Sequence, residues 1–194
     1  MKGIHVEVKE TQLDGEDVIY VAKPHENQTP DDNTYALVDE EVFYNGVIDV
    51  DVRSRLLPTA DITNRGFIGI VFRAKEDSSE FECFYIRPTN GNTDDIERKK
   101  HGCQYFSYPG YTFAYFRKHG ILGYEAPIEG YLDKWFHLRL VIQDDEGTFY
   151  VDGMETPVLH VDHLKHGKYA KGYVGLYVDN GTEGYFKNLV VTKR

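Results

Sequence analysis

The chain has 194 residues, 41% of them hydrophobic and 14% aromatic, enough to bury a core of its own. Its formal net charge of −10 argues against nucleic acid or an anionic membrane as its main partner, since both demand a basic surface. No stretch is apolar for long enough to cross a bilayer, and two cysteines, Cys83 and Cys103, are too few for a disulfide framework.

Met1 leads at once into the alternating Ile4-His5-Val6 rather than into an apolar export segment. The expectation is a cytoplasmic protein as written, or a secreted one if a signal has been removed. Strands are then predicted over 4–8, 18–22, 35–38, 46–54, 67–73, 81–87, 102–106, 112–116, 135–143, 147–151, 172–179 and 184–192. Turn-forming clusters at 23–24, 28–33, 58–65, 89–95, 144–147 and 179–181 separate them, and no helix longer than a turn or two is predicted. Several runs alternate cleanly. Phe136, Leu138, Leu140 and Ile142 share one face of their strand; Val174, Leu176 and Val178 oppose Tyr173, Gly175 and Tyr177. Many short strands without βα alternation predict an all-β sandwich or barrel, read as a single domain over 1–194.

Two runs stand out, 66–73 and 81–88. Each reads as a buried strand ending in arginine, and the short polar stretch between them predicts a hairpin. Long charged side chains are rarely buried unless paired, so one sheet face is read as built to hold something polar. If Ile70 and Phe72 point into the core, Val71 and Arg73 point outward. On the next strand Cys83, Tyr85 and Arg87 oppose Glu82, Phe84 and Ile86. The candidate ligand-binding set is Arg73, Tyr85, Arg87, Asn90, Arg98, His101, Gln104 and Tyr105, with Glu82 as an orienting partner. The alternative is an internal salt-bridge network, with Arg73 or Arg87 paired to Glu82 or a nearby Asp. Both readings stay open at this level.

Further motifs carry the family resemblance. Phe43-Tyr44-Asn45-Gly46-Val47-Ile48-Asp49-Val50-Asp51-Val52 resembles the early strand of concanavalin A-like lectins and glucanases, and 66–73 resembles their following strand. Trp135-Phe136-His137-Leu138-Arg139-Leu140-Val141-Ile142 followed by Thr148-Phe149-Tyr150-Val151-Asp152-Gly153 resembles a hairpin of laminin-G-like domains. Gly172-Tyr173-Val174-Gly175-Leu176-Tyr177 and Tyr185-Phe186-Lys187-Asn188-Leu189-Val190-Val191 are similar to the closing strands. The resemblance spans roughly 43–192. It implies a two-sheet antiparallel jelly roll with one convex and one concave sheet, and saccharide or glycoconjugate recognition on the concave sheet.

Whether an enzyme is implied is left uncertain. Glycosidases need two carboxyl groups flanking the scissile bond. The Glu-x-Asp-x-Glu arrangement of the laminarinase and lichenase relatives is absent; Asp49-Val50-Asp51 is the nearest run and reads as structural or solvent-facing. Glu82, Glu125 and Glu129 are isolated carboxylates. A polysaccharide lyase on the same fold is the runner-up, because Arg73, Arg87, Arg98, His101, Gln104 and Tyr105 have the chemistry to neutralise a uronate and move a proton. A structural or protein-interaction module is the third reading. His160, His163 and His166 invite a metal reading, but a surface loop with Val161 and Leu164 packed inward is the better one, and no metal site is assigned. No cofactor is expected beyond a structural calcium of the kind the resemblance implies, with Asp31, Asp32, Asn33, Asp179 and Asn188 as oxygen donors. Neither the sugar nor the oligomeric state is fixed by the sequence.

Overall fold

The predicted hairpin and the alternating runs assemble in a computed structural model that describes residues 1–38, 41–153 and 155–194. Among the described residues the elements are β1 (Lys2–Ile4), β2 (Glu7–Leu13), β3 (Glu16–Ala22), β4 (Tyr35–Leu37), β5 (Gly46–Leu56), β6 (Ile68–Ala74), β7 (Phe81–Ile86), α1 (Pro88–Gly91), α2 (Ile96–Lys99), β8 (Cys103–Tyr108), α3 (Phe113–Lys118), β9 (Glu125–Ala126), β10 (Phe136–Gln143), β11 (Glu146–Val151), β12 (Leu159–Val161), β13 (Tyr173–Val178) and β14 (Thr182–Lys193). They form two seven-stranded sheets. The first has the order β12-β11-β10-β5-β14-β3-β2 and the second β1-β4-β13-β6-β7-β8-β9. The strands within each are antiparallel, so the fold is the two-sheet sandwich expected.

Alternation decides what fills the space between the sheets. Phe136, Leu138, Leu140 and Ile142 of β10 meet Ile70 and Phe72 of β6, Phe84 and Ile86 of β7, and Val174, Leu176 and Val178 of β13. Phe84 stacks on Phe149 across the sandwich with ring centroids 4.5 Å apart. Burying each such side chain contributes about 1.5–3 kcal/mol.

The opposite face of the second sheet is not an open polar surface. Tyr35, Val71, Phe81, Cys83, Tyr85, Phe106 and Tyr177 form a second buried aromatic cluster there. Segment 23–34, between β3 and β4, lies over it: Asn33 donates to Ser78 O, and Asp31 accepts from the Tyr85 hydroxyl and from Phe113 N. A cavity opens at one end of this face, beside Phe67, Tyr85 and Arg87.

Two predicted elements come out differently. The strand over 4–8 breaks at His5, whose φ of +50° ends β1 and lets β2 begin at Glu7. The strand over 112–116 is instead α3: Phe116 N donates to Thr112 O, and the spacing of three aims Phe116 at Tyr124, whose ring it stacks on. Aromatic content reads as strand in a sequence, but the contact that fixes these residues is a local turn. Two short strands, β9 and β12, are not predicted at all.

Candidate functional site

Arg87 organises the open end. It follows β7 directly, and the alternation of that strand places it on the outward face with Tyr85. Its Nη2 donates to the Tyr85 hydroxyl at 2.6 Å and to Gln104 Oε1 on the neighbouring strand; its Nη1 donates to Glu125 Oε1 at 2.9 Å and to His101 O at 3.2 Å. The guanidinium also lies 4.8 Å from the Tyr85 ring centroid. Burial works against its charge, yet the Tyr85 hydroxyl, Glu125 and Asp31 outweigh that and hold its pKa above the usual guanidinium range. Glu125 answers in the other direction. Burial opposes its ionisation, but Arg87, Arg117 and His101 outweigh it and keep the carboxyl below the usual carboxylate range.

Tyr85 continues the network inward. Its hydroxyl donates to Asp31 Oδ1 at 3.0 Å, and Asp31 Oδ2 accepts from Phe113 N at 2.8 Å. Asp31 sits in the left-handed region, φ +51°, which Asp tolerates better than most residues and which turns the chain over the sheet. Its own N–H donates to Asp179 Oδ2 at 2.9 Å, and Lys23 Nζ holds Asp179 Oδ1 at 2.7 Å. Burial and the neighbouring Asp179 push the Asp31 carboxyl up to about 6.

Gly69 makes room for this arrangement. It pairs with Tyr85 across the β6–β7 ladder, and a Cβ there would fall 2.1 Å from Phe84 O and 2.7 Å from Tyr85 Cβ. Gly181 does the same for the wall, lying so close to Asn64 that a Cβ would meet Asn64 Oδ1 at 2.1 Å.

The resulting cavity encloses about 470 Å³, within the range of small-molecule sites. Tyr85, Arg87, Asn90, Arg98 and His101 from the predicted set line it, joined by Asp31, Asn64, Arg65, Phe67, Phe113, Arg117 and Asn180. Asn90 donates to His101 O at 2.8 Å, and Arg98 reaches Asn90 Oδ1 at 3.2 Å and Thr89 O at 3.3 Å. Gln104 is fully buried against Arg87. The Oδ1 of Asn180 and the Nε2 of Gln104 are buried without a hydrogen-bond partner among the described residues.

Three predicted residues stand elsewhere. Arg73 does not point outward. The β6–β13 register shifts beside it and its φ is +56°, so the bulge inserts one residue and reverses its side chain. It lies buried, donating to Tyr44 O at 3.0 Å, Asn45 Oδ1 at 3.1 Å and Asp144 O at 2.6 Å. Glu82 and Tyr105 point to the sandwich interior. Tyr105 donates to Glu82 and accepts from Lys165 N at 2.7 Å, while Glu82 accepts from His166 N at 3.0 Å. This pair fastens the 164–166 loop and does not orient Arg87.

The other expected ligand sets scatter. His160 bonds Thr148 and Asp162, His163 bonds Asp145, and His166 bonds Tyr108 O, while Val161 and Leu164 are buried as read. Of the calcium candidates, Asp31 and Asp179 have their oxygens taken by Tyr85, Phe113, Asp31 N and Lys23, and Asn188 lies on the first sheet bonded to Asp51. Asp49 and Asp51 pair with His137 and Arg139 on that sheet's outer face. No group of three metal-ligating side chains converges among the described residues.

No protein-family model matches the chain, and no curated protein matches it in sequence. Solved structures do. The carbohydrate binding module CBM66 from Bacillus subtilis superposes with a TM-score of 0.58 at 14% identity, covering 96% of this chain and 94% of its own. The chain has the fold of this structure, a two-sheet antiparallel jelly roll. A Bacillus subtilis protein of unknown function with a galectin-like fold shares the jelly roll at TM-score 0.55 and 13% identity, covering 97% and 90%. A glycosyl hydrolase-type protein from Parabacteroides distasonis shares it at TM-score 0.55 and 12% identity, covering 95% and 83%.

Proposed function

We propose that the protein is a carbohydrate-recognition domain that takes a saccharide into the cavity around Arg87. The observation that carries this reading is the combination inside one enclosure of half-buried aromatic rings, Phe67 and Phe113, with planar donors from Arg98, Arg65 and Asn90. Ring faces suit the C–H patches of a sugar, and guanidinium and amide groups suit its hydroxyls. The unpartnered Asn180 Oδ1 is an acceptor that a hydroxyl would satisfy. Structural relatives with the same jelly roll include a carbohydrate binding module, which fits this reading.

The same geometry favours binding over turnover. The carboxylates that touch the cavity, Asp31 and Asp179, each have both oxygens engaged by protein donors. Tyr85 is pushed well above the usual phenol range by burial, so it does not serve as a proton acceptor near neutrality.

The test is a glycan-array screen of the full chain followed by calorimetry with the responding oligosaccharide, repeated on Arg98→Ala. Binding is expected without release of new products, and the variant should lose at least about tenfold in affinity, as expected for one charge-assisted contact. Unchanged affinity in the variant would move the site off this cavity.

A further inference from the structure

Charge inside the cavity runs against the charge of the molecule. The chain is acidic overall, yet Arg65, Arg87, Arg98 and Arg117 all face one enclosure. Arg87 and Arg117 share Glu125, at 2.9 Å each. Arg65 and Arg98 have no carboxylate within ion-pair distance among the described residues. Their bonds go to neutral oxygens: Arg65 to Ile62 O and Asn64 O, Arg98 to Thr89 and to Asn90 Oδ1. Burial lowers the pKa of Arg65, and the repulsion of Arg98 and then Arg87 lowers it further; Asp61 and Asp95 only partly offset this. Asp31 and Asp179, the acidic groups that also line the cavity, are already engaged by Tyr85, Phe113 N and Lys23.

Two half-buried guanidinium groups that line one cavity, neither with an ion-pair partner among the described residues, form a receptor for an anion. Guanidinium binds a carboxylate or sulfate through paired, parallel N–H donors, the strongest of the ordinary hydrogen bonds. Here the donors sit next to Phe67, whose ring stands edge-on to Tyr85 at 6.0 Å and is half exposed to the cavity.

On the reading that the cavity takes a saccharide, we infer that the saccharide is an acidic one, its anionic substituent seated between Arg65 and Arg98 and its ring against Phe67. The shared chemistry is a sugar bearing a carboxylate, as in a uronic acid, or a sulfate ester. Neutral glycans of the same backbone keep the ring contact and the hydroxyl bonds but lack the charge-assisted pair.

The experiment is calorimetry on the full chain with three sets of oligosaccharides: uronate oligomers, the same oligomers after reduction of their carboxyl groups to alcohols, and sulfated oligomers. Each titration is run at low and at moderate salt. The inference expects the uronate or the sulfated set to bind at least tenfold more tightly than the neutral set, with the preference shrinking as salt rises. Whichever anionic set binds better identifies the source of the charge. Arg65→Ala and Arg98→Ala should bring the ratio of acidic to neutral affinity close to one, and Arg98→Glu should invert it. Both residues are half-exposed, and thermal melting confirms that the variants fold. Equal binding of carboxyl and reduced oligomers overturns the inference and leaves the saccharide reading standing. Absence of binding across all three sets, together with a silent glycan array, overturns both.

Discussion

Arg87 and Glu125 are joined by a 2.9 Å ion pair between residues 38 apart, which ties the end of β7 to the edge strand β9. Arg87 is therefore both the rim of the cavity and a buried structural member, with only 4% of its surface exposed. Of the two readings open in the sequence, ligand contact and internal pairing, the structure shows the pairing and sets Arg87 in the cavity wall. Its pairing partner is Glu125, not Glu82. Arg87→Ala should take a donor from Glu125, Gln104, Tyr85 and His101 O at once, costing about 3 kcal/mol of stability. Arg87→Lys should recover little, because one ammonium cannot replace four bonds made by a planar fork. Chemical denaturation measures both; a loss below about 1 kcal/mol in Arg87→Ala contradicts the network.

Asp31 predicts a pH dependence with a definite sign. Its carboxyl is held at about 6 in the fold against 3.8 for the free group. Between those values the folded state binds the proton more tightly than the unfolded state. Asp31 thus weakens the fold progressively as pH rises from about 4 to 6, by up to about 3 kcal/mol. Asp31→Asn removes this contribution. The difference in stability between variant and wild type should move in favour of the variant across that window and stay level above it. A difference that is flat from pH 4 to 7 would show that Asp31 titrates normally.

Arg73 and Tyr105 should separate stability from binding. Arg73→Ala takes a donor from Tyr44 O, Asn45 Oδ1 and Asp144 O and should cost about 2–4 kcal/mol. Tyr105→Phe, which removes the hydroxyl shared by Glu82 and Lys165 N, should cost about 1–2 kcal/mol. Neither residue lines the cavity, so calorimetry on the folded variants should give wild-type affinity. A tenfold loss in either would place the ligand elsewhere.

Lys23 predicts indifference to calcium. Its ammonium already sits on Asp179 Oδ1 and Thr29 O, where a cation would otherwise balance the buried carboxylates. Melting temperature and glycan affinity should be the same in millimolar calcium and in chelator. A calcium-dependent rise of several degrees would mean that the oxygen donors rearrange around a metal.

Much of the fold was legible because it rests on period-two patterning. The β6–β7 hairpin and the inward faces of β10 and β13 are visible as alternating residues. Five residues of the cavity wall were read from the sequence: Tyr85 and Arg87 from that period, and Asn90, Arg98 and His101 from the polar loop that follows. Arg73 was misplaced because a single bulged residue reverses a side chain, and nothing in the run Val71-Phe72-Arg73-Ala74 marks the bulge. Asp31, Asn64, Arg65 and Phe113 come from connections whose course depends on distant partners. Gly69 and Gly181 carried a signal, since a glycine inside a strand or after an Asn marks a close approach. What each glycine makes room for is set by its partner across the fold.

The most direct test of the central claim is hydrogen–deuterium exchange of the full chain with and without the responding oligosaccharide. Protection should appear over 63–67, 87–101 and 113–117, the segments that surround the cavity, while the outer face of the first sheet around β2, β3 and β10 exchanges as before. Protection on the first sheet, with the Arg65, Arg87 and Arg98 segments unchanged, would contradict the account.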